Sequence, residues 1–318
     1  MEVNRPVVDL SIRRNLKKEI WRNRYIYLML ALPLAYFIVF KYLPIYGLQL
    51  AFKEYMLNKG IFGSPWIGFE HFRRMTIEPE FFTAFKNTII ISAYRIIFGF
   101  PFPIILALML NEIYFKSFRR VSQTILTFPH FLSWVIVSGL ILNMFGDGGV
   151  IKKIIAVFSS ELAADWNVLY SQSTFRSLLI MTDIWKEAGW GTIIYLAAIT
   201  GVDPSYYEAA TIDGCNRLQK IWHITIPSIM SIIIIQLLLR IGWVMEAGFD
   251  QIFNLYTPPV YPVADIIDTY VYRITFGRGV SLDMGFPTAV GLFKNVINFA
   301  LIMIANAIAR RAGYDGIV

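Results

Sequence analysis

Six stretches of this chain are apolar for about twenty residues or more, at 25–46, 88–111, 121–145, 177–200, 224–245 and 287–309. A helix rises about 1.5 Å per residue, so about 20 residues cross the ~30 Å hydrocarbon layer of a bilayer. Within lipid the backbone must satisfy its own hydrogen bonds, which makes each run a helix. Hydrophobic residues make up 56% of the chain and charged residues 16%, against about 25% charged in soluble domains. The pattern predicts an all-α, polytopic membrane protein with about six transmembrane helices.

The first 24 residues carry Arg5, Arg13, Arg14, Lys17, Lys18, Arg22 and Arg24. That segment is too long and too basic for the charged part of a cleaved export signal, and no small-residue cleavage site follows the first run. Residues 1–24 therefore read as a basic N-terminal segment, and 25–318 as the transmembrane domain. With the N-terminus inside, the cytoplasmic pieces hold 14 Lys and Arg in about 65 residues, and the outer loops hold about ten in nearly twice that length. This asymmetry predicts that both termini are cytoplasmic. The net charge of +7 then serves topology and contact with anionic lipid, and no nucleic-acid partner is expected.

Several chemistries are missing from the sequence. Cys215 is the single cysteine, and His71, His130 and His223 lie far apart, so neither a disulfide nor a metal site is expected. No phosphate-binding loop, zinc-protease motif or nucleophile elbow occurs. The chain is expected to hold no cofactor of its own and to be no enzyme. The absence of a convincing internal repeat weighs against a secondary transporter built from inverted halves.

The outer loop 47–87 holds turn formers Gly63, Pro65 and Gly68 among Trp66, Phe69, Phe72, Phe81 and Phe82. It reads either as an aromatic belt at the lipid headgroups or as a docking ledge for an extracellular partner. The loops 146–176 and 246–286 are also aromatic, and the prolines of YTPPVYP at 256–262 forbid a continuous helix there.

One polar segment interrupts the apolar chain: EAATIDGCNRLQKIWHITIP, from Glu208 to Pro227. Ahead of it, Asp203 is suited to cap a helix and Pro204 to occupy its first position. A short helix should run to about Asp213, where Gly214 permits a sharp turn. Leu218, Ile221, Trp222 and Ile224 then recur at helical spacing. Small alanines would let another surface approach the short helix closely.

Glu208-Ala209-Ala210, three residues, Gly214, nine residues, Ile224, one residue, Ile226 and Pro227 resemble the EAA signature of the permease subunits of bacterial binding-protein-dependent ABC importers. The signature reads EAA-x3-G-x9-I-x-L-P. Ile226 departs from the usual leucine, and Cys215 replaces a common alanine. PHFLSWVIVSGL at 129–140 and DIWKEAGWGTIIYLAAI at 183–199 are similar to the carbohydrate-importing branch, whose members take up oligosaccharides, acidic alginate-like ones included.

The resemblance implies a permease fold in the inner membrane, with 203–227 as the loop of a coupling helix that sits in a groove of a separate ATPase subunit. Glu208 would pair with a basic group there, Ala209 and Ala210 would give the close fit, Asp213 and Gly214 would set the turn, and Ile224 and Pro227 would lead into the next span. It also implies the partners: a second permease, generally a different chain, a dimer of ATP-binding cassette subunits holding ATP and Mg, and a solute-binding protein. This chain would supply half of the translocation path.

Charges inside the spans bear on the passenger. Lys41, Arg95, Asp183, Lys186, Glu187, Arg240 and Lys294 fall within or beside apolar runs, where a lipid-facing charge costs about 2.5–3.5 kcal/mol. Asp183, Lys186 and Glu187 share one helical face and invite a local ion pair. Five of the seven are positive, so a cavity that collects them predicts an anionic, uronate-containing oligosaccharide. Lys186, Trp190, Arg240, Trp243, Glu246, Lys294 and Asn298 are the candidate substrate contacts, with Arg240, Trp243 and Lys186 preferred. A neutral oligosaccharide and a stand-alone secondary transporter are the alternatives.

Overall fold

The computed structural model describes residues 18–277, 283–314 and 316; Arg5, Arg13, Arg14 and Lys17 of the basic segment lie outside them. Among the described residues the regular structure is helical, apart from isolated bridge residues such as the pair Lys53 and Trp66.

Helix α1 (Arg24–Phe52) passes the length and apolarity needed to span. Of its side chains only Ala51 is buried, so it meets the rest of the chain near its end and turns apolar side chains outward elsewhere. The short α2 (Glu70–Met75) follows, held by His71, whose Nε2 lies 3.0 Å from Lys53 O. Helix α3 (Pro79–Asn111) starts well before the expected residue 88. Its ladder widens into a π turn at Arg95–Gly99, just ahead of Pro101 and Pro103. A proline cannot donate to the ladder, and the wide turn absorbs that loss.

The expected third span, 121–145, is divided. Helix α4 (Lys116–Thr127) ends in a tight turn over Phe128–Phe131 containing Pro129. Ser133 then accepts from Ile136 N at 3.3 Å and caps α5 (Trp134–Phe145). With α6 (Val150–Phe158), α5 makes the apolar stretch Trp134–Phe158. The apolar run thus extends past 145, because the turn at Gly146–Gly149 redirects the chain without ending its hydrophobic pattern.

Helix α7 (Gln172–Thr200) has 29 residues and rises about 43 Å, enough to span despite its charges. Those charges are tolerated because α7 is central: Asp183, Lys186, Ala188, Gly189 and Thr192 are all buried. The approach of α4 depends on Gly189, where a Cβ would overlap the Leu126 carbonyl, and at Gly191 a Cβ would press on the Pro103 ring of α3 at 3.0 Å. After α8 (Pro204–Ile212), the helices α9 (Arg217–Ser228) and α10 (Met230–Gly242) meet at 62°. The expected fifth span, 224–245, is therefore a bent pair with its corner beside Pro227, and it ends at Gly242.

The stretch 246–277 folds inward as α11 (Phe249–Leu255) and α12 (Ile267–Phe276), joined by single turns at Pro258–Val260 and Tyr261–Ala264. Helix α13 (Gly285–Arg311) closes the structure as the last span. One core gathers Phe175 and Leu179 of α7, Ile141 of α5 and Ile252 of α11. A second joins Phe81, Tyr270 and Phe286, and a third joins Leu110, Tyr195, Ile199 and Ile229.

Gly189→Ala should cost about 1–3 kcal/mol by overpacking, read as a lower unfolding temperature in mild detergent. Gly139→Ala, at a position where nothing lies within 4 Å, should leave that temperature unchanged or raise it.

Candidate functional site

The short helix forms as its sequence dictates. Asp203 Oδ1 accepts from Ser205 N at 2.9 Å, and Pro204 takes the first position. Those bonds to Ser205 hold the Asp203 carboxyl below the usual carboxylate range. At the other end Asp213 is the C-cap of the helix and Gly214 has φ +79°. Cys215 N donates to Ala210 O at 2.9 Å and Gly214 N to Thr211 O at 3.1 Å, the paired bonds of a Schellman cap. Glu208, Ala209, Ile212 and Asp213 are exposed, whereas Ala210 is buried. The small size of Ala210 therefore serves contact with its own chain, and Ala209 alone of the two is open to a partner. Ile224 is partly buried and Pro227 exposed at the corner of the fifth span.

The second feature is an ion triad between the spans. The Asp183 carboxylate of α7 lies 3.3 Å from Arg95 Nη1 of α3 and 3.6 Å from Arg240 Nη2 of α10. Arg95 also donates to the Oε1 of the fully buried Gln251. Gln251 Nε2 in turn donates to Thr182 Oγ1 at 2.7 Å and Leu179 O at 2.8 Å. The guanidinium of Arg95 fits because Gly248, at φ +80°, has no Cβ to meet it. Arg95 and Asp183 are nearly sealed from solvent, but the Arg240 side chain is 42% exposed.

Arg240 separates two cavities and lines both. One, of about 360 Å³, is walled by Arg95, Trp134, Trp243, Glu246, Asp250 and Asp268. The other, of about 190 Å³, is walled by Asp183, Glu187, Trp190 and Gln236. Trp190 stacks on His130 with ring centres 4.6 Å apart. Flat aromatic faces beside carboxylates and a guanidinium suit a polyhydroxy ligand.

Several expected contacts are committed elsewhere. Lys186 is buried, with Nζ 2.9 Å from Glu187 Oε1 and donating to His130 O at 2.9 Å. The local ion pair on α7 is thus Lys186 with Glu187, and Asp183 is taken by the arginines. Lys294 donates to both carboxylate oxygens of Asp268, at 2.7 and 2.9 Å. Asn298 Oδ1 accepts from Met245 N at 3.0 Å. The expected surplus of positive charge is absent from the larger cavity, where Arg95 and Arg240 face Glu246, Asp250 and Asp268. Lys41 sits on the outward face of α1. Arg240, Trp243, Glu246 and Trp190 remain open to a cavity.

His130, Asp250, Gln251 and Asp268 lay outside the expected set. The last three sit in a stretch that reads as an outer loop, and the signal for the two aspartates is the recurrence of acids at 246, 250 and 268 after the last residue of the fifth span.

Comparison with known proteins places these features. The model of the family of binding-protein-dependent transport system inner membrane components matches residues 99–314. The polygalacturonan/rhamnogalacturonan transport system permease protein YteP of Bacillus subtilis is 43% identical over 99% of this chain and 98% of that one. Protein LplB of the same organism is 42% identical over 93% of this chain and 92% of that one. A crystal structure of a bacterial ABC transporter involved in import of the acidic polysaccharide alginate superposes with TM-score 0.83 at 40% identity, covering 93% of this chain and 99% of that one. A bacterial alginate ABC transporter in complex with an alginate pentasaccharide-bound periplasmic protein gives TM-score 0.83 at 37% identity, covering 95% of this chain and all of that one. With the family model matched over most of its length, this chain belongs to the inner membrane components of binding-protein-dependent transport systems.

Proposed function

We propose that the chain is one of two permease subunits of an ATP-driven importer of acidic oligosaccharides, docked through α8 onto a separate ATPase. The chain is a transport subunit and no enzyme. Its system includes a solute-binding protein, a second permease and a pair of ATPase subunits that hold ATP and Mg. A stand-alone secondary transporter falls with the family membership.

The observation that carries the coupling role is the capped helix α8, rigid at both ends, which turns Glu208, Ala209 and Ile212 outward beside the exposed Leu218 and Trp222. An acid flanked by small and apolar side chains suits a groove with a basic group. On this reading α8 is cytoplasmic, and both termini with it.

The acidic substrate is supported by the relatives, one described as carrying polygalacturonan, a polymer of uronate, and another as importing alginate. Within this chain Arg240 is the cavity cation able to meet a carboxylate, since it holds Asp183 at 3.6 Å with one nitrogen and remains partly exposed. A neutral oligosaccharide is the second reading, favoured by Glu246 and Asp250, which can accept from sugar hydroxyls.

Glu208→Lys should leave the protein inserted but release the ATPase from the assembly, measured by co-purification in mild detergent; retention of the ATPase would refute docking through α8. Arg240→Ala should raise the KM for a uronate oligosaccharide about tenfold, the worth of a charged hydrogen bond, and that for a neutral one much less. Equal changes for both would assign Arg240 a structural role.

A further inference from the structure

We infer that Tyr207 and Thr225 form a strut that fuses α8 to the base of α9, so that the two move as one body and the corner at Ile229 is the joint. The inference rests on the reading of α8 as the docking helix and adds how its motion reaches the cavities.

The two hydroxyls lie 3.0 Å apart, from the middle of α8 to a π turn at Ile221–Thr225 inside α9. Thr225 is 2% exposed, so a broken bond would not be replaced by water at no cost. Its Oγ1 is also 3.4 Å from Lys220 O, which lets Thr225 donate to Lys220 and accept from Tyr207. A second tie runs back: Lys220 Nζ donates to Thr211 Oγ1 at 2.6 Å, and Thr211 Oγ1 donates to Tyr207 O at 2.6 Å. Tyr207, Thr225, Lys220 and Thr211 thus close a ring of hydrogen bonds across the two helices. In this ring the Thr211 and Thr225 hydroxyls each donate once and accept once, and the Tyr207 hydroxyl donates once.

Beyond the ring the chain has one break. Helix α9 meets α10 at 62°, and α10 ends near Arg240. Arg240 lies roughly 15 Å along α10 from the corner, so a change of about 10° in the angle moves it by roughly 3 Å. That displacement is enough to end the contact of Arg240 with Asp183, which spans 3.6 Å. A rigid α8–α9 unit would deliver such a rotation; a loose one would lose it in the connecting turn. Tyr207 and Thr225 are positioning residues on this scheme, since neither lines a cavity described above.

The test uses the complete assembly in lipid nanodiscs, with both permeases, the ATPase pair and the binding protein loaded with a uronate oligosaccharide. Tyr207→Phe should keep the ATPase bound and hydrolysing, while oligosaccharide moved per ATP hydrolysed falls about fivefold, the effect of one lost hydrogen bond. Thr225→Val should do the same, and Thr225→Ser, which keeps the hydroxyl, should restore the ratio. An unchanged ratio in both Tyr207→Phe and Thr225→Val overturns the strut. Loss of the ATPase from Tyr207→Phe also overturns it, because Tyr207 would then belong to the docking surface. Retention of the ATPase by Glu208→Lys is a different failure, that of the docking reading, and the strut falls with it.

Discussion

Much of this bundle depends on one carboxylate held between two guanidiniums. Asp183 draws Arg95 of α3 and Arg240 of α10 onto α7, and Gln251 extends the link to α11. Removing the acid would strand two cations between spans, and breaking a buried pair costs about 3–5 kcal/mol. Three spans and one inward-folded helix are therefore registered against each other by charge where shape alone would let them slide. The backbone is adapted to it: a π turn begins at Arg95, and Gly248 leaves room for its guanidinium. The triad is also asymmetric. Arg95 is sealed, whereas Arg240 stands between two cavities with part of its side chain in the open.

The other end of the same helix pair has the opposite character. Around α8 the interactions are short in sequence and individually modest: a carboxylate cap at Asp203, a glycine turn at Gly214, a capping box of Asn216 with Gln219. Each satisfies backbone groups that a helix end leaves open, and together they leave Glu208 and Ala209 facing outward on a stiff mount. A connecting turn between α9 and α10 separates this local rigidity from the long-range charge link at Arg240.

That contrast explains what could be read from the sequence. The cap, the helix and the turn at 203–214 were legible because their causes lie within four residues of their effects. The six spans were legible as apolar runs, but their edges and breaks were not. A run of mean hydropathy passes smoothly over Pro129 and Ser133, where the chain turns and restarts, and over Ile229, where it bends by 62°. Side-chain pairing was the least legible. Helical spacing alone favours Lys186 with Asp183 at i, i+3, but Arg95, 88 positions before Asp183 in the chain, takes that carboxylate and Lys186 bonds to Glu187 instead. Ala210 matched a docking motif, yet it is buried against its own chain, which its place in the motif does not reveal.

The same logic bears on the cavity chemistry. Counting charges along the spans gave a positive surplus, because Asp268 and Asp250 stood in a stretch that reads as loop. Folding brings that stretch inward, pairs Lys294 with Asp268, and leaves a cavity of mixed sign. A strongly positive chamber would hold a polyanion too tightly to release it, since binding on a transport path must be weak enough to leave. On the proposed reading, a lining with one exposed arginine, several carboxylates and aromatic faces would meet a uronate's acid group once and its hydroxyls several times, each contact modest. Passage on that reading would not depend on outbidding a deep electrostatic well, and the energy of the proposed coupling through α8 would go into moving helices.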